Sequence, residues 1–199
     1  MSAKSRTSRF HTPGKVRWRR FAIVALPAVA VAGVLVGLTA EGAIASSISV
    51  SGEEYTVTAS QLSGTGFEQF GGEVSNANGP QPVIVSAINS AKLTDLCQSV
   101  TIGPVTLRLT AGTGGTPASA SNMIVDASGQ TGSEATFNNI SIGLDAGTLT
   151  EDPGTTGTAG SFGEQADTVT IDNLNQDTWL TTAGTFTLPD LSLGFGGSC

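Results

Sequence analysis

Four groups of side chains in this 199-residue sequence have the types and spacing to do chemistry. Two are adjacent carboxylate pairs, Glu53-Glu54 and Glu151-Asp152. A glycosidase needs two acids facing one another across a cleft. Neighbours on a strand point to opposite faces, and the second pair lies in a Gly-rich stretch, so both pairs read as solvated charge. The third group, Asp172, Asn173, Asn175 and Asp177, offers oxygen ligands of the kind calcium takes. It lacks the Gly and the distal Glu of an EF-hand loop, and an Asx-rich corner is the plainer expectation. The fourth is Cys97 with Cys199, the only cysteines.

Nucleophilic and metal chemistry have little to work with. The single histidine is His11, close to the N-terminus, and no G-x-S-x-G elbow occurs, which excludes a Ser-His-Asp, Cys-His or α/β-hydrolase mechanism in the downstream chain. Two thiolates without a neighbouring histidine make a poor zinc site. Gly112-Thr113-Gly114-Gly115 is not followed by a helical pattern, so it is not read as a phosphate cradle. No catalytic residue, metal ligand or cofactor is assigned. Trp179 is read as a core or sheet-face aromatic, and Phe67 and Phe70, beside Gly71-Gly72, as an exposed apolar patch.

Charge divides the chain in two. Lys4, Arg6, Arg9, Lys15, Arg17, Arg19 and Arg20 precede the apolar run Phe21–Leu38, whereas from Ser46 onward Lys92 and Arg108 stand against 15 acids, a net of −13. Such a surface repels nucleic-acid phosphates and anionic headgroups alike, so no nucleic-acid partner is expected, and cations, carbohydrate or another protein are the more natural partners. Basic residues, an apolar run and the tripeptide Ala43-Ile44-Ala45 reproduce a secretory signal, with cleavage between Ala45 and Ser46. The alternative is a retained anchor, because eighteen residues reach about 27 Å, close to a bilayer core. Both readings place the basic end in the cytoplasm and the rest outside. Arg19-Arg20 is taken as ordinary n-region charge rather than a twin-arginine signal.

The expected organisation is therefore a basic n-region (1–20), an apolar signal or transmembrane helix (21–38), a small-residue cleavage region or linker (39–46) and an extracytoplasmic β domain (47–199). Outside the cell, thiols oxidise, and an intramolecular Cys97–Cys199 disulfide is the leading pairing; an intermolecular bridge through Cys199 or two free thiols are the alternatives.

From Ser46 the apolar period is two. Ile48/Val50, Tyr55/Val57, Val83/Val85, Val105/Leu107/Leu109, Met123/Val125, Phe137/Ile140/Ile142, Val169/Ile171 and Phe186/Leu188/Leu191/Leu193 mark nine or ten half-buried strands. Gly64-Thr65-Gly66, Gly71-Gly72, Asn78-Gly79-Pro80 and Gly112–Gly115 read as turns, and Gly147–Gly163 as a mobile surface loop. Four units beginning at Ala91, Ala135, Thr168 and Thr185 share an alternating strand, an Asn or Asp corner, then an apolar residue. Their spacings of 44, 33 and 17 residues are not a fixed period. The fold expectation is all-β, one sandwich or barrel-like domain, with a β-solenoid as the alternative.

Arg17-Trp18-Arg19-Arg20-Phe21, Gly64-Thr65-Gly66-Phe67 with Phe70, Leu96-Cys97-Gln98-Ser99, Ala135–Ile140, Phe162 with Gln165-Ala166-Asp167, and Thr178-Trp179 with Ala183–Phe186 resemble an uncharacterised actinobacterial family. Its members are short exported or single-pass proteins, some automatically labelled cholesterol esterase. The resemblance implies a membrane-associated or secreted product of a Gram-positive actinomycete and carries over no catalytic residue. The expected role is non-catalytic binding or assembly at the cell surface, with an envelope protein or a second copy as partner; a lipid or sterol carrier, or an esterase, is the alternative.

Overall fold

The structure is a computed structural model and describes residues 52–152 and 154–199. The apolar run Phe21–Leu38, the cleavage positions Ala43, Ala45 and Ser46, His11 and the Ile48/Val50 pair lie outside the described residues.

Among the described residues ten strands form one antiparallel sheet. They are β1 (Tyr55–Asn76), β2 (Gly79–Thr94), β3 (Leu96–Ile102), β4 (Val105–Ala111), β5 (Ala118–Thr131), β6 (Glu134–Asn138), β7 (Ser141–Asp145), β8 (Phe162–Thr182), β9 (Thr185–Thr187) and β10 (Ser192–Phe195). A 3₁₀ turn over Ala146–Thr148 is the only helix among the described residues. The path runs β10-β4-β3-β1-β2-β5-β8-β6, with β7 on β8 and β9 on β5. It returns on itself, because β1 also pairs with β8 from Tyr55 to Phe70. The circuit β1–β2–β5–β8 gives the all-β domain its closure without the uniform staves of a barrel. Solenoid coils stack their strands in parallel, and every pairing here is antiparallel, so the fold is not that alternative.

The long strands can serve two partners because they bend at residues suited to positive φ. Asp95, Asn122, Asn139, Asn173 and Asp190 are the non-glycine residues with φ between 46° and 54°. Four of them are the corners of the four repeated units. Asn and Asp tolerate this region because a short polar side chain can bond locally. The bends line up across strands. Gly66 (φ 65°) is passed over in the β1 pairings, where it faces Asn89 of β2 and Asp167 of β8. Asn89 in turn faces Asn122 of β5, and Asn139 donates to Asp167 Oδ2 at 2.6 Å. A second row joins Asp95, Ser60, Asn173 and Ser133, through Ser60 Oγ to Asp95 Oδ2 (2.9 Å) and Asn173 Nδ2 to Ser133 Oγ (2.9 Å). The sheet is creased along two lines, and Asx side chains carry the polar contacts along each crease.

Two glycine expectations fail for one reason. Gly64-Thr65-Gly66 and Gly71-Gly72 are not turns but lie inside β1. A Cβ on Gly64 would sit 2.5 Å from Ile88 Cγ2, and one on Gly72 2.5 Å from Val85 Cγ2. Glycine there clears space for bulky neighbours on β2. The turn expected at Asn78-Gly79-Pro80 does form, as a tight hairpin closing Asn76 onto Gly79.

One core gathers Leu62, Phe67, Ile88, Leu93, Leu96, Val169 and Leu174 between the creased layers. A second joins Phe70, Val74, Val83 and Val85 to Ala146 and Leu149, with Trp179 packed half-buried against it. Phe67 and Phe70 are therefore core residues and not an exposed patch, being 2% and 7% exposed. The Gly147–Gly163 segment is likewise not a free excursion. Asp145 Oδ1 accepts from the amides of Gly147 and Gly160, Ala146 N–H donates to Ser161, and Leu149 and Asp152 are buried.

Candidate functional site

β3, β4 and β10 project beyond the circuit as a three-stranded wing. β3 touches β1 only through Cys97–Ser99 opposite Thr58–Thr56. Residues directly opposite in an antiparallel ladder share a face. The pairs Val100–Leu107, Ile102–Val105, Gln98–Leu109, Leu193–Leu109 and Phe195–Leu107 therefore put seven apolar side chains and one glutamine on one side. That side is uncovered: Phe195 is 80% exposed, and Ile102 and Leu193 are 61%. The half-buried expectation for Val105/Leu107/Leu109 thus holds only for Leu109. The exposed wing residues amount to apolar surface on the order of several hundred Å², the size at which a patch on a soluble chain marks an interaction site.

At the root of the wing this face dips into a groove of about 370 Å³. Val100, Ile102, Leu107, Leu109 and Leu193 line it, with Glu53, Tyr55, Gln98 and Ser99 at its inner end. Tyr55 is anchored by its hydroxyl, which donates to Thr181 Oγ1 at 2.6 Å, and burial pushes its pKa up. Glu53 and Glu54 lie just before β1 and are exposed.

The reverse face of the wing is polar. It carries the Cys97–Cys199 disulfide, with Cα atoms 5.8 Å apart, so the intramolecular pairing is the one formed. Arg108 Nε donates to Cys97 Sγ at 3.2 Å, and Cys199 N–H donates to Ser99 Oγ at 3.1 Å. The staple thus holds the C-terminal segment against β3 and steadies β10.

The other sequence candidates do not converge. Asp172 accepts from Gln61 Nε2 (2.8 Å), Asn173 bonds Ser133, and Asp177 accepts from Thr56 Oγ1 (3.4 Å), so three of the four proposed calcium ligands serve separate cross-strand contacts. Among the described residues no three His, Cys, Asp or Glu side chains gather around a common point suited to a metal. The second acid pair departs from its expectation. Asp152 is 1% exposed rather than solvated, and its N–H donates to Oε1 of the fully buried Glu68 at 2.7 Å. Glu68 Oε2 and Asp152 Oδ2 have no hydrogen-bond partner. Sequence gave no sign of Glu68, since its buried side is set by the crease at Gly66 two residues earlier.

Burial raises the Glu68 pKa, opposed by the Asp152 amide and reinforced by the Asp152 carboxylate. A carboxyl raised on folding contributes stability that is full below its unfolded pKa and is lost as pH rises through its folded value. Urea midpoints of the wild type are therefore expected to fall relative to Glu68→Gln as pH rises above the ordinary glutamate value of about 4.3. Parallel curves for the two proteins would count against a neutral, buried Glu68.

With this geometry in view, comparison with known families is decisive at one point: a family described only as one of unknown function, DUF6230, matches residues 51–199. The chain belongs to that family. The DUF6230 match covers the whole creased sheet, the wing and both cysteines, and begins just before Glu53. No curated protein and no solved structure matches this DUF6230 chain.

Proposed function

We propose that this protein is an exported cell-surface β-protein, released after Ala45 or held by residues 21–38, that acts by binding or assembly and not by catalysis. The observation that carries the reading is the uncovered apolar face of β3, β4 and β10. Exposed apolar surface of that extent is costly for a free chain and is matched to a partner. The oxidised cysteine pair and the signal-like N-terminus support a location outside the cytoplasm. Membership of an actinobacterial group of exported proteins is part of the same proposal, on the motif resemblance given above. The esterase label found among such proteins is not adopted, because residues 46–199 contain no histidine and no nucleophile elbow.

A second reading, a lipid or sterol carrier, draws on the groove, whose volume of about 370 Å³ falls within the range of small-molecule sites. Protease added to intact cells tests the leading reading. Residues beyond 46 should be digested while a cytosolic control survives, and the mature mass should reveal whether residues 1–45 remain. Full protection of the domain would sink the proposal. Stoichiometric retention of a sterol by the purified protein would favour the carrier.

A further inference from the structure

We propose that the apolar face of the wing rests on a lipid bilayer, inserting Phe195, Leu193 and Ile102 into the acyl boundary. This deepens the reading above and depends on the chain being exported and held at a membrane.

Charge selects the surface. All 15 acidic side chains downstream of Ser46 lie outside residues 96–111 and 191–199, and the one charged side chain in those segments, Arg108, is on the opposite face from Phe195. An anionic leaflet repels the rest of the domain and meets one side-chain carboxylate at this face, that of the exposed Glu53 in the groove lining. The chain length permits the same surface. Glu53 and Tyr55 line the groove, and fourteen residues separate Glu53 from Leu38, where the apolar run ends. Fourteen residues span at most about 50 Å, so a bilayer holding that run has the groove within reach. Charge disfavours a second copy, because two such faces pressed together would bring two domains of −13 into contact.

The test uses the full chain in a Trp18→Phe, Trp179→Phe background carrying Phe195→Trp as its only indole. The matched control carries Phe162→Trp instead. Phe162 is 61% exposed but adjoins the Phe70 end of β1, away from Tyr55. Each protein is reconstituted into phosphatidylcholine–phosphatidylglycerol vesicles with plain or brominated acyl chains. Emission from position 195 should be quenched at least about twofold by brominated lipid, as expected of a side chain buried several Å into the acyl boundary, and emission from position 162 should be unchanged. Quenching at 195 no greater than at 162 would overturn the proposal. So would a blue-shifted, unquenched signal at 195 accompanied by a dimer mass, which would assign the face to a second copy. A full chain that fails to float with vesicles would overturn the membrane-held reading itself, whereas flotation without quenching at 195 would overturn only the placement of the wing.

Discussion

Replacing Cys97 and Cys199 together by serine is expected to lower the unfolding free energy by roughly 3–5 kcal/mol, the largest effect of any change outside the core. The bond spans 102 residues of sequence, so in the unfolded chain it closes a loop covering two thirds of the domain. The chain-entropy relation gives about 4.7 kcal/mol for a loop of that length, and removal of native staples from small exported domains usually costs about 2–5. The effect acts mainly on the unfolded state, which makes it separable from lost packing. Removing a cross-link lets the denatured ensemble expand, so the urea m-value should rise while the midpoint falls. A local consequence accompanies the global one. β10 is held by four residues of ladder to β4, by the Cys199–Ser99 contact and by the disulfide. Without the covalent tie its amides should exchange faster than those of β4, which keeps β3 on its other edge. Equal midpoints for the oxidised protein and the double serine variant, with equal m-values, would show that the staple contributes nothing.

How much of this was legible in the sequence depends on whether a residue's role is local. The period-two pattern predicts strands because alternation follows from strand geometry alone, and strands appear at the marked residues from Tyr55 onward except Ile140, Leu188 and Leu191, which fall between strands. The four Asx corners are legible for the same reason, since positive φ is a preference of the residue itself, and Asp95, Asn139, Asn173 and Asp190 all adopt it. Gly64 and Gly72 carry an identical local signal and mean something else: their vacancy is filled by Ile88 and Val85 of another strand. The same limit hid the site. Leu107 and Leu109 alternate as any buried strand would, and only the topology leaves β3, β4 and β10 without a covering layer. Phe67 and Phe70, set among glycines, look like loop aromatics until β1 is seen to run through them. Glu68 is buried by the geometry of its neighbours, which no single-residue preference records.

Phe67→Ala is expected to destabilise the domain by about 3–5 kcal/mol, enough to unfold a large share of molecules near physiological temperature. The ring is 2% exposed in the main core and its centroid lies 5.3 Å from that of Phe137, tilted at 47°. Phe137 stands on β6 opposite Val169 of β8, so the pair ties β1 to the far side of β8. Truncation removes both the transferred apolar area and the ring contact, and the surrounding sheet has little freedom to collapse into the gap. Gly66 fixes the bend immediately before Phe67, and β1 is laddered there to β2 on one side and β8 on the other. The cost should therefore sit near the upper part of the range, and Phe67→Leu, which refills most of the volume, should lose markedly less. Phe195→Ala supplies the matched contrast, because the same side chain on the wing is 80% exposed. Its stability change should stay within about 0.5 kcal/mol, as for ordinary surface positions. Chemical denaturation of the two variants side by side decides the matter: a loss below about 1 kcal/mol for Phe67→Ala would mean that β1 does not carry the core, and a comparable loss for Phe195→Ala would mean that the wing's apolar face is packed within the domain and not presented to a partner.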